Sequence, residues 1–379
     1  MTELTAYTGA RIFDGEAWHE AAALVVDGEG IHALGAVPDG AAAIALDGGM
    51  LVPGFIDLQV NGGGGHLVGP GTTVAALQLV CNTHARFGVT GLLPTLITDT
   101  PEVTDAVLAA GASAARQGLP GFLGLHLEGP HLASSRKGAH APALIRPMTE
   151  SDLVRLERAR AALPHLLVTV ATEACTPEQI ARLVRAGITV SLGHSDASFE
   201  AASAAIRAGA TMATHLFNAM SQIGNREPGL VGAALASGSV FAGVIADGIH
   251  IHAATLGLAL RAKRGPGQLF LVSDSMSQAG TDMLSFELNG RTIYRRDGAL
   301  RLADGTLAGA DLTMDAALRN LVGQGVELDA ALRMASRIPA AAIGSRTGGR
   351  LSPGCPADFV HLGPDLSVRA VWRAGRRLD

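Results

Sequence analysis

Eight short runs rich in branched and aliphatic residues recur along this chain, separated by alanine-rich stretches of helical length. That order predicts parallel strands joined by crossover helices, because a parallel neighbour is reached only through a long return connection. The runs are GFIDLQV (54–60), TGLLPTLI (90–97), FLGLHLE (122–128), LLVTVATE (166–173), TVSLGH (189–194), ATMATH (210–215), FAGVIAD (241–247) and LFLVSD (269–274). Between them, Thr176 and Ser198 stand where helix N-caps belong, and Gly187 and Gly209 where the chain should leave a helix. Closing eight such units on themselves predicts an α/β fold, a (β/α)8 TIM-like barrel.

The two ends carry a different pattern. Short alternating strands broken by DGE and PDG fill the N-terminal part, and ADFVHLG and SVRAVWRAG stand near the C-terminus. Residues 1–52 and 345–379 are therefore assigned to a small β-sandwich domain and 53–344 to the barrel. A polar, β-like stretch after the eighth run, SFELNGRTIYRRDGALRLADGTLAG, is expected as an excursion over the barrel mouth.

Hydrophobic residues make up 48% of the chain and charged ones 17%, which suits strands buried on both faces. A net charge of -5 without basic blocks argues against nucleic acid or an anionic membrane as partner, since both need concentrated positive charge. No apolar run approaches the roughly 20 residues of a membrane span, and the N-terminus lacks the order of a signal peptide, so a cytoplasmic location is expected. Cys81, Cys175 and Cys355 lie far apart and outside any CxxC pattern, which indicates neither a disulfide framework nor a thiolate zinc site.

Polar residues gather at the C-terminal ends of the runs, where barrel enzymes assemble their active sites. Glu128 ends the third, His194 the fifth, His215 the sixth and Asp274 the eighth. Any one of them alone would fit an ordinary hydrogen-bonded core residue. Four together, each following apolar residues, need a partner that compensates their burial, and a divalent metal does so. One Glu and two His form a ligand set of catalytic zinc, with a position left for water or substrate. Iron, manganese and cobalt suit the same donors. Two-metal barrel hydrolases carry HxH on the first strand and a carboxylated lysine on the fourth. Here the first strand reads DLQVN, and the chain's two lysines, Lys137 and Lys263, lie elsewhere, so one metal is expected.

At these residues the chain resembles the N-acetylglucosamine-6-phosphate deacetylase family of the amidohydrolase superfamily. The motifs are PGFIDLQVNGGGG (53–65), GLHLEGPHL with KGAH (124–140), SLGHSDA (191–197), THLFNAM (214–220), NREPGLVG (225–232), ADGIH (246–250) and LAGADLTMDAALRNLV (307–322). The resemblance implies Glu128, His194 and His215 as metal ligands and Asp274 as general base and then acid. It implies that Ala139 and His140 face the substrate, with His140 helping to stabilise the oxyanion, and that Asn218 and Ala219 contact the sugar. Arg226 and His250 would hold the phosphate, and Leu307, Ala308 and Gly309 would run along the sugar. It also implies a homodimer whose phosphate pocket draws on both subunits. The segment SDSMSQAG departs from the small apolar run usual after the aspartate, which bears on specificity. Three other functions compete: another cyclic-amide or nucleobase hydrolase, a non-catalytic scaffold, and a deacetylase of the galactosamine epimer.

Overall fold

The computed structural model describes residues 4–378; residues 1–3 and 379, assigned above to the terminal domain, lie outside the described residues. Eight parallel strands follow one another in sequence order around a barrel: β1 (Phe55–Val60), β2 (Val89–Ile97), β3 (Leu125–Glu128), β4 (Leu166–Val170), β5 (Thr189–Leu192), β6 (Met212–Ala213), β7 (Phe241–Val244) and β8 (Leu269–Leu271). The barrel closes just beyond β8, where Val60 bridges Ser275 in parallel, Asp274 N–H donates to Gln59 O at 3.0 Å and Asn61 N–H donates to Ser275 O at 2.8 Å. All residues of β1 and β2 are buried, as strands sandwiched between a filled interior and an outer helical layer must be.

The outer layer begins with α1 (Val74–Ala85), α2 (Pro101–Arg116), α3 (Glu150–Arg160), α4 (Pro177–Arg185) and α5 (Phe199–Arg207). Thr176 caps α4 in a reciprocal capping box with Gln179, and Ser198 accepts from Ala201 N–H at the start of α5. Each such cap contributes about 1 kcal/mol. Gly187 and Gly209 follow these helices with φ of +81° and +111°, as their positions in the sequence required.

The mouth carries a four-stranded antiparallel sheet, Ser285–Leu288, Arg291–Arg296, Ala299–Arg301 and Leu307–Ala310, which is the excursion expected after the eighth run. It packs Phe286, Leu288, Ile293 and Leu300 against Ile97 and Met276 of the barrel.

At the other end, a four-stranded sheet (Gly30–Gly35, Ala23–Asp27, Leu4–Thr8, Ala42–Ala45) faces a six-stranded one built from Met50–Pro53 and the C-terminal strands Phe359–Leu362, Val368–Arg373 and Arg376–Leu378, with Arg11–Phe13 and Trp18–His19. Their shared core holds Tyr7, Leu24 and Ile31 of one sheet against Phe359 and Trp372 of the other. The buried Arg373 fastens this sandwich to the barrel, donating to the carbonyls of Pro120, Cys81 and Val89 at 3.1 to 3.2 Å. All three cysteines are free and buried.

β1 to β3 end where their sequence runs end, whereas β4 to β8 stop short at the C-terminal side, β6 spanning only Met212–Ala213 where 210–215 was expected. After β5, β6 and β8 the polar ends leave the ladder as the backbone turns into the left-handed region, with φ of +47° at His194, +25° at His215 and +50° at Asp274. Such conformations cost about 1–3 kcal/mol each in non-glycine residues and persist where the surrounding structure enforces them.

Candidate active site

That turn aims the rings of His194 and His215 at the carboxylate of Glu128, the last residue of β3. His194 Nε2 lies 3.2 Å from Glu128 Oε1, His215 Nε2 lies 3.0 Å from the same oxygen, and the two nitrogens are 3.1 Å apart. All three residues are buried, and they form a group able to hold a metal ion. His194 Nδ1 is 2.8 Å from Arg136 O, a carbonyl that can only accept, so the ring proton sits on Nδ1 and a lone pair on Nε2. A lone pair and an anionic oxygen thus face a common centre, an arrangement that suits a divalent cation and would be repulsive without positive charge between them. Burial opposes ionisation of Glu128, but positive charge where the His194 and His215 nitrogens meet it outweighs burial and holds the carboxyl well below its ordinary range.

Asp274 stands beside this group under the opposite influence. Burial pushes its carboxyl up to about 6, and the negative charge of Glu128 adds to the effect, with His215, His250 and Asn61 acting against it. Two neighbouring carboxyls are thereby set apart, one firmly anionic and one able to exchange a proton near neutrality. Asp274 Oδ1 accepts from Asn61 Nδ2 at 2.7 Å and from Gln59 Nε2 at 3.1 Å, and Gln59 Nε2 also reaches Glu128 Oε1 at 3.1 Å. Neither bond engages Oδ2.

Barrel closure explains these contacts, since it sets the end of β1 directly against Asp274. Gln59 and Asn61, at the end of β1 where the sequence has no histidine, thus gain a role that residue type alone does not reveal. The same holds for His126. Two residues before Glu128 on β3, and so on the same strand face, His126 lies 2.7 Å from Thr169 Oγ1 and 3.1 Å from Leu58 O. Burial lowers its imidazole to about 4, which keeps it neutral beneath the site.

His140 is held by Thr98. Thr98 N–H, which can only donate, points to His140 Nδ1 at 3.3 Å, and Thr98 Oγ1 lies 2.8 Å from the same nitrogen. Burial lowers the ring to about 3, so His140 is neutral with its proton on Nε2. It therefore offers a fixed N–H donor, not a positive charge. Nε2 lies 3.9 Å from Glu128 Oε2, at the edge of the ligand group. The preceding residue is anchored from above, as the Arg291 guanidinium of the mouth sheet donates to Ala139 O.

Asn61, Glu128, His140, His194, His215 and Asp274 line one cavity of about 380 Å³, which also takes in Ala139, Asn218, Ala219, His250, Leu307, Ala308 and Gly309. Gly309 has φ of +72°, and a Cβ there would fall 2.5 Å from Met276 Cγ and 3.0 Å from Asp274 O, so only glycine lets this segment pass so close to Asp274. Of the unusual segment after Asp274, Met276 reaches the cavity, Ser275 closes the barrel, and Ser277 and Gln278 are buried. Ser135, Arg136 and Thr306 line it as well, residues with no earlier assignment. Arg226 is the one proposed substrate residue that the fold keeps away: it is exposed on the loop 221–228 and does not line the cavity. Among the described residues no helix is long and apolar enough to cross a membrane.

Comparison with known proteins agrees with this geometry. The model of the amidohydrolase family matches residues 50–378. The chain is 44% identical to an N-acetylgalactosamine-6-phosphate deacetylase of Shewanella sp. (strain ANA-3), over 88% of this chain and 84% of that one. It is 38% identical to the N-acetylglucosamine-6-phosphate deacetylase of Haemophilus influenzae, over 85% of each. Among solved structures, N-acetylglucosamine-6-phosphate deacetylase from Pasteurella multocida superposes with a TM-score of 0.95 at 36% identity, covering 99% of both chains. A family whose members depend on a divalent metal thus matches a chain whose buried Glu128, His194 and His215 can hold one. Matched by the family model over residues 50–378 and by these relatives over most of its length, this chain belongs to the amidohydrolase family, in the branch of the amino-sugar 6-phosphate deacetylases.

Proposed function

We propose that the chain hydrolyses the acetamide of N-acetylglucosamine 6-phosphate to glucosamine 6-phosphate and acetate. The observation that carries this reading is the meeting of Glu128, His194 and His215 with a second, raised carboxyl, Asp274, in one cavity. A divalent cation held by the three ligands, with zinc the proposed occupant over iron, manganese and cobalt, supplies Lewis-acid polarisation of the acetamide carbonyl and lowers the pKa of a neighbouring water. Asp274 does the proton work: Oδ2, left free by Gln59 and Asn61, takes the proton of the attacking water. His140 Nε2–H donates to the oxygen on which negative charge develops, and its bonds to Thr98 hold it in that orientation throughout. Asp274 then passes its proton from Oδ2 to the departing amine.

Ala219, Asn218 and the 307–309 segment wall the cavity, which supports assigning them to the sugar, and His250, which also lines it, is assigned to the phosphate. His140→Ala is expected to lower kcat by about 10²- to 10³-fold, the effect of deleting one oxyanion donor, with little change in KM; steady-state kinetics on the phosphorylated sugar checks it. Because Arg226 stands outside its own chain's cavity, we assign it to the cavity of a neighbouring subunit in a homodimer. Arg226→Ala is then expected to raise KM for the phosphorylated sugar by about tenfold or more, the loss of one charged hydrogen bond, and to leave kcat nearly unchanged. An unaltered KM would place the phosphate elsewhere.

The galactosamine epimer is the second reading, favoured by the 44% identity to the Shewanella N-acetylgalactosamine-6-phosphate deacetylase. Acetate release from the two epimeric 6-phosphates, and from unphosphorylated N-acetylglucosamine, by protein of known metal content decides among them. Higher kcat/KM on the gluco 6-phosphate is expected. Equal rates with and without the phosphate would favour a different amidohydrolase activity.

A further inference from the structure

We propose that Asp247 is a positioning residue that turns His250 into a phosphate donor by fixing which ring nitrogen faces the cavity; this rests on the reading of His250 as a phosphate contact. β7 stops at Val244 and the chain enters a tight turn, ADGIH, in which both oxygens of Asp247 are used. Oδ1 accepts from the backbone N–H of Ile249 at 2.9 Å and of His250 at 2.8 Å, and Oδ2 lies 2.6 Å from His250 Nδ1. Both side chains are only 5% exposed. Asn320 Nδ2 ties the same turn down from the helix Met314–Gly323, donating to Ala246 O at 2.9 Å.

The chemistry follows from donor and acceptor inventory. An ionised carboxylate has no proton to give, so the 2.6 Å contact makes Nδ1 the donor and leaves Nε2 as the nitrogen available to a ligand. His250 lines the cavity and Asp247 does not. Burial works against the Asp247 carboxylate, but the hydrogen bond and charge of His250 outweigh it and hold the group below its ordinary range. A ring with a lone pair at Nε2 would repel a phosphate oxygen. Protonated on both nitrogens, it donates to that oxygen through Nε2–H while Oδ2 keeps Nδ1–H and the ring in place. Without Asp247 the ring loses that orientation and the anion that partners its Nδ1–H.

The test uses full-length, metal-loaded protein and compares Asp247→Ala, Asp247→Asn, His250→Ala and the Asp247→Ala/His250→Ala double variant. The readouts are kcat and KM for N-acetylglucosamine 6-phosphate, kcat/KM for unphosphorylated N-acetylglucosamine, and the inhibition constant of inorganic phosphate. Asp247→Ala should raise KM for the phosphorylated sugar and the phosphate inhibition constant by about tenfold, with kcat and the unphosphorylated reaction little altered. Asp247→Asn, which keeps an acceptor for Nδ1 and should fold even if the alanine variant does not, should show a smaller rise in the same two constants. The double variant should be no worse than His250→Ala, because the two residues act through one contact. Additive losses, or equal losses on both sugars, would overturn the proposal. A normal Asp247→Ala beside an impaired His250→Ala would overturn it alone, whereas a His250→Ala protein with unchanged phosphate preference would overturn the underlying reading as well.

Discussion

Asp274→Asn is expected to keep its metal and lose about 10²- to 10⁴-fold in kcat, the range spanned by a positioned acid or base. The substitution is nearly isosteric, and the Asn Oδ1 can still accept from Gln59 Nε2 and Asn61 Nδ2, so the site keeps its shape. What disappears is the proton acceptor at the second oxygen. The loss should fall on kcat, since the group acts on the reacting water and the amine and does not hold the sugar. Metal analysis of the purified variant beside acetate-release kinetics checks both halves of the statement. Near-normal turnover would remove Asp274 as the base.

Glu128→Gln tests the other carboxyl and should fail in a different way. Glu128 is the anionic member of the ligand group, buried, and contacted by both imidazoles and by Gln59. Gln in its place removes the negative charge from a centre that then offers only neutral donors. Metal affinity should drop by more than about 100-fold, since losing a mere outer hydrogen-bond partner already costs 10- to 100-fold. The variant should therefore purify nearly free of metal, with turnover lost in proportion and partly restored by excess divalent cation. If it kept a full complement of metal, the ion would sit elsewhere. The two substitutions thus separate proton transfer from metal holding, although the carboxyls share Gln59 as a common hydrogen-bond donor.

The same shared donor bears on metal number. At the end of β1, Gln59 and Asn61 present amide N–H groups to Asp274, and Gln59 also to Glu128. A donor at these points satisfies the carboxylates directly and offers no nitrogen lone pair to a second ion. This gives a physical basis for the single metal expected from the absence of HxH and of a suitably placed lysine.

Local chemistry made much of this legible before any coordinates. Eight apolar runs with capped helices between them specify parallel strands, because cap, stop and strand signals act within a few residues; the capping box at Thr176 and the left-handed Gly187 stand where the sequence placed them. Glu128, His194, His215 and Asp274 were recognisable because a charged or imidazole group ending an apolar strand is costly unless it has a partner. Their convergence, and everything that depends on it, belonged to the tertiary structure. Gln59 and Asn61 meet Asp274 across more than 200 positions of chain, a contact created by barrel closure alone. The tautomer of His140 follows from Thr98 at its Nδ1, and the absence of Arg226 from its own chain's cavity follows from the path of an exposed loop. Residue type and spacing report what each side chain can do, while proton position, burial and reach are set by neighbours that only folding brings together.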